Sequence, residues 1–72
     1  MNAIEEITLA QSFQADMIHE PRRGCGWYKF ILYGWTIWKV KDGWKAATLV
    51  GGEYQNHVFC ETLQEAFEFA LE

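Results

Sequence analysis

The sequence predicts a small α+β domain: an antiparallel β-sheet of three or four strands, a C-terminal amphipathic helix packed on one face, and a helix near the N-terminus. Three observations carry this expectation. Apolar residues recur at helical spacing over 63–71, the run "WTIWKVKDGWKAATLV" alternates about a turn dipeptide, and 72 residues suffice for one domain only. Half of the residues are apolar and 17% are aromatic, so the chain has the composition of a folded domain. One core of this size seldom supplies more than a few kcal/mol, which leads us to look for a disulfide, a metal or a second subunit as a staple.

In chain order, the single domain is expected to span 1–72, with disorder left open for 1–7. Ile7, Ala10, Phe13 and Met17 suit one side of a helix that Thr8 or Gln11 would cap and Pro21 would close. "WYKFIL" reads as a strand, and Gly34 marks either a turn or a bulge. Asp42-Gly43 fits a type I′ hairpin, a register that sets Lys41 against Trp44, Lys39 against Ala46, Ile37 against Thr48 and Trp35 against Val50. Alternation then gathers Thr36, Trp38, Val40, Lys45, Ala47 and Leu49 on the face expected beneath the helix, where Ala47 leaves room for approach. The opposite face would carry Trp35, Ile37, Lys39, Lys41 and Trp44.

Gly51-Gly52 ends that strand, and "NHVFCE" reads as a further one leading to Thr62. Leu63, Ala66, Phe67, Ala70 and Leu71 form the apolar stripe of the last helix, and Thr62 with Glu65 makes its capping box. Gln64, Glu65 and Glu68 fall on its solvated side. Phe69 lies off the stripe and is expected either at the margin of the core or against a partner.

From Gly34 to Leu71, the strand, the turn before Trp44, the strand with Ala46 and the helix "ETLQEAFEFAL" resemble in spacing the three-stranded sheet and helix of plant AP2-type and phage-integrase arm-binding DNA domains. The resemblance implies a sheet face that enters a DNA groove through arginines. This chain departs from that pattern, because Arg22 and Arg23 lie outside the strands and the helix is acidic. Hairpin-plus-helix layouts are common, and spacing alone makes no family assignment.

Charge is segregated along the chain. Residues 1–21 and 46–72 together carry −9 with no base, whereas 22–45 holds all six basic residues and Asp42, for a total of −4. The basic stretch is also the one that contains all four tryptophans. His19, Cys25, His57 and Cys60 are the only His and Cys residues. In a strand His57 and Cys60 point to opposite faces, so no metal or other cofactor is expected. Ser12 is the only serine and stands outside any nucleophile motif, the glycines form no phosphate loop, and no third group orients a Cys-His pair. We therefore expect no enzyme and no small-molecule substrate. The N-terminus lacks a basic, apolar leader and "FILYGWTIW" is far shorter than a membrane span, which points to a cytoplasmic chain with free thiols.

These observations lead us to expect a non-catalytic protein-binding module that begins with its own copy as a homodimer, through Trp35, Ile37, Lys39, Lys41 and Trp44. The alternative is a single-stranded or duplex nucleic-acid module using the same Trp/Lys face. Short acidic chains of this kind are frequent products of mobile genetic elements, although no residue here marks that origin.

Overall fold

The computed structural model describes residues 2–19 and 28–72. In chain order it runs α1 (Ala3–Ser12), β1 (Asp16–His19), β2 (Tyr28–Leu32), β3 (Trp35–Val40), β4 (Gly43–Val50), β5 (Glu53–Cys60) and α2 (Leu63–Leu71). The strands form one antiparallel sheet in the order of the sequence. The α+β class is as expected, with five strands in place of three or four. Pro21, Arg22, Arg23, Cys25 and Trp27 lie outside the described residues.

The extra strand comes from chain that the apolar spacing assigned to a helix. Asn2 and Glu5 make a reciprocal capping box, so α1 starts at Ala3, inside the stretch where disorder was left open. It stops at Ser12 because Gln14 turns left-handed (φ 60°). The Gln14 and Ala15 amides then donate to the carbonyls of Gln11 and Ala10, closing a Schellman motif. Met17 consequently belongs to β1, opposite Phe30.

Three two-residue connections set the register. Tyr33-Gly34 (φ 50° and 81°) and Gly51-Gly52 (φ 60° and 84°) have the positive φ pair of type I′ turns. The β3–β4 loop is Lys41-Asp42, so Lys39 pairs with Trp44, Ile37 with Ala46 and Trp35 with Thr48. The register therefore differs by two residues from the expected one, a shift that preserves which side chains share a face. Gly43 serves as clearance instead of supplying positive φ: a Cβ there would stand 2.6 Å from the Cys60 carbonyl oxygen and 2.8 Å from Phe59 Cζ.

Both helices cover the same side of the sheet. The core joins Phe30 and Leu32 of β2, Ile37 of β3, Trp44 and Ala46 of β4 and Cys60 of β5 to Ala10 of α1 and Leu63, Ala66, Phe67 and Ala70 of α2. Phe67 is its hub, stacked on Phe13 (centroids 5.1 Å apart) and edge-on to Phe30 (5.5 Å). Ala46 is fully buried and provides the clearance that lets α2 sit close to the strands. The helix–sheet packing thus reverses the expected choice of face. Ala46, not Ala47, lies beneath the helix, because Phe30 and Leu32 pair with Ile37 and Trp35 and commit that side to the core.

The last helix keeps the expected boundaries, although of the expected Thr62–Glu65 capping box only the Thr62 side-chain half forms. Thr62 Oγ1 accepts the Glu65 amide hydrogen (3.1 Å), and Leu63, Ala66, Phe67 and Ala70 are buried while Leu71 stays exposed. Phe69 reaches the margin of the core, edge-on to Trp35 at 4.8 Å.

Candidate docking face

The expected partner-binding residues divide once placed. Ile37 is fully buried and Trp44 is 6% exposed, so neither meets a partner unless the helices leave. Trp35 is partly buried against Phe69. Their strands are amphipathic in the expected way, but the side holding them is the covered one.

Lys39 and Lys41 remain exposed. Lys39 holds its ammonium 3.6 Å from Glu6 Oε2 and 5.9 Å from the Trp44 ring centroid. The other oxygen of that carboxylate accepts the Tyr28 hydroxyl hydrogen. Glu6 is buried, and these two partners balance the cost of taking its charge out of water while tying α1 to β2 and β3. Burial first, and then the bond to Glu6 and its negative charge, push the Tyr28 phenol up to about 12. Lys39, Lys41 and Trp44 share a half-open cleft of about 320 Å³ with Glu6, Asp42 and Glu61. Its charges are mixed, with three carboxylates against two lysines.

The uncovered face is assembled from the other set of residues. Pairing aligns Ile18, Lys29, Trp38, Lys45 and Phe59 in one row across all five strands. Asp16, Ile31, Thr36 and Ala47 make the next row, and Leu49 pairs with Tyr54 beyond it. β5 joins these rows through a bulge. Ala46 pairs with Val58 and Thr48 with Gln55, so three residue steps of β5 oppose two of β4, and Asn56 takes up the extra residue at φ 60°. Asn56 Nδ2 donates to Thr48 Oγ1 (2.8 Å), which pins the bulge. The change of parity keeps Tyr54 and Phe59 on one side although they are five positions apart.

No helix covers this face among the described residues, yet its floor is dry: Thr36 is 4% exposed and Ala47 fully buried. Side chains of the face itself provide the roof. The Trp38 ring lies 5.1 Å from Tyr54 and 6.3 Å, edge-on, from His57. Lys29 donates from Nζ to the Tyr54 hydroxyl (3.2 Å) and lies 6.0 Å from that ring. Around this aromatic centre, Ile18, Leu49, Tyr54 and Phe59 are 39, 55, 37 and 52% exposed. Together these side chains make an exposed apolar patch edged with lysine.

Charge is divided between the two sides. Among the described residues the uncovered face carries Lys29 and Lys45 against Asp16, whereas the exposed carboxylates of Glu5, Glu65, Glu68 and Glu72 ride on the helices or at their ends. The sequence showed one basic aromatic stretch; folding sends half of its side chains into the core and the other half, with two of the lysines, to this face.

His57 faces this side and Cys60 the core, where burial and then the charge of Glu65 push its thiol up. No group of three metal-binding side chains forms among the described residues. Among the described residues no helix is long and apolar enough to cross a membrane. No protein-family model matches the chain, and neither a curated protein nor a solved structure proves significantly similar to it.

Proposed function

We propose that this chain is a non-catalytic, cytoplasmic binding protein and that its uncovered sheet face is the docking surface for another macromolecule. The observation that carries this reading is the Trp38–Tyr54–His57 cluster, braced on Thr36 and Ala47, with Leu49 and Phe59 exposed beside it and Lys29 and Lys45 flanking Trp38. Rigid rings carry contact area at little entropic cost, and adjacent cations orient an acidic partner. The reading of the chain as non-catalytic is supported by Ser12, whose hydroxyl is engaged with the Leu9 carbonyl (2.7 Å), and by Cys60, which is buried with a raised pKa.

A second copy of this chain is a disfavoured occupant, because two such faces pressed together about a two-fold axis set lysine rows against lysine rows, with Asp16 the one carboxylate to offset them among the described residues. The docking reading is tested by immobilising the wild-type chain and a Leu49→Ser, Phe59→Ser double variant and comparing what each retains from the same mixture. Loss of the retained species in the variant supports it. Equal retention by a folded variant would overturn it.

A further inference from the structure

Resting on that docking face, we propose that its occupant is a single-stranded nucleic acid, with bases stacked on Trp38, Tyr54 and Phe59 and phosphates met by Lys29 and Lys45. The order of residues within one row is the first support. Lys29, Trp38, Lys45 and Phe59 alternate cation and ring across consecutive strands. At about 4.8 Å per strand, the two rings stand roughly 10 Å apart with an ammonium-bearing chain between them. A strand of nucleic acid presents the same alternation of flat base and charged phosphate, and stacking on rings tolerates any sequence because every base has a π-face.

The second support is preorganisation. Trp38 packs against Tyr54 and His57 of β5 beside a buried floor, so part of its rotamer freedom is already lost before binding. The third is the division of charge. The carboxylates that make the chain acidic as a whole sit mainly on the helical side, so a polyanion approaching the sheet meets the lysines first. A duplex is a poorer fit, since its bases are already stacked on one another and offer these rings no free π-face. An acidic polypeptide matches the charge but has no flat groups at the spacing of the rings.

The test is fluorescence anisotropy of a labelled oligodeoxythymidylate about 12 nucleotides long, within the span known for single-strand sites on small β domains. The full chain is titrated at low and at moderate salt, with the matching duplex and polyglutamate as parallel probes. The expected result is single-strand binding that weakens with salt and exceeds duplex binding. Trp38→Ala should weaken it about 5- to 150-fold, the loss of one stacked base. Lys45→Gln should flatten the log–log salt slope by about 0.7. Phe59→Ser, at an exposed position, should weaken binding without unfolding the chain and serves if Trp38→Ala does not fold. Absence of single-strand binding at low salt, or binding indifferent to Phe59→Ser and Lys45→Gln, would overturn the proposal. Polyglutamate binding that depends on Lys45 and Phe59, without oligonucleotide binding, would overturn it as well while leaving the docking face standing.

Discussion

Replacing Trp44 with alanine should cost this protein much of its stability, whereas the same change at Trp38 should cost far less. Trp44 is 6% exposed, touches Phe30 (centroids 6.2 Å apart) and lies on the covered side. Removing such a ring costs about 3–5 kcal/mol. At about 0.05–0.15 kcal/mol per residue the whole domain is worth only about 4–11 kcal/mol, so the variant retains at most about three-quarters of its stability and, at the lower end of the range, does not stay folded. Trp38 keeps part of its ring in water and forfeits only the area that it buries against Tyr54 and the floor, about 1–2 kcal/mol. Urea unfolding followed by far-UV circular dichroism reads both without relying on tryptophan emission. With a slope of about 1 kcal/mol/M for so small a chain, the Trp44→Ala midpoint should fall by about 3–5 M and that of Trp38→Ala by about 1–2 M. A Trp44→Ala loss below about 1 kcal/mol, or a greater loss for Trp38→Ala, would refute the assignment of the two faces.

Three further outcomes follow from the packing of Gly43, Tyr28 and Cys60. Gly43→Ala should destabilise by about 1–3 kcal/mol in a thermal melt, since its Cβ would meet the Cys60 carbonyl at 2.6 Å; an unchanged melting temperature would contradict the packing of Phe59 over this glycine. The Tyr28 phenol titrates near 12 when folded against 10 when unfolded, so between those values the folded state keeps a proton that the unfolded chain releases. Its contribution is intact below pH 10 and lost as pH rises through about 12, and wild type should lose stability more steeply across that window than Tyr28→Phe, with parallel curves counting against the Glu6–Tyr28 bond. Cys60, buried with its thiol pushed up, should react with a maleimide only as fast as the domain opens, which a Cys25→Ser variant isolates; labelling at the rate of a free peptide thiol would contradict its place in the core.

The parts of the fold legible in the sequence are those whose determinants are local. Leu63, Ala66, Phe67 and Ala70 with Thr62 as cap define α2 within nine consecutive residues, and the structure returns the same boundaries. The hairpin sorted its side chains correctly into two sets even though the register moved by two residues. Which set becomes core is decided elsewhere: Phe30 and Leu32 on β2 tip the balance, and their alignment depends on Tyr33 adopting a left-handed turn conformation that a tyrosine does not announce. The N-terminal helix was misplaced because its spacing continued through Met17, while its boundaries are set by the Asn2–Glu5 box and by Gln14. Tyr54 and Phe59 share a face only through the bulge at Asn56, which strict alternation in the sequence hides. The composition of the candidate site, tryptophan beside lysine, was therefore legible, and its address was not.

On the proposed single-strand reading, Trp38 is the tryptophan among the described residues that meets the nucleic acid, while Trp35 and Trp44 lie on the covered side of the sheet. The most direct measurement is an NMR titration of the indole N–H signals of the full chain with the oligodeoxythymidylate at low salt. The Trp38 signal should shift progressively to saturation, with those of Trp35 and Trp44 nearly unmoved. Shifts at Trp44 or Trp35 with Trp38 unchanged, or no shift at any of the three, would contradict it.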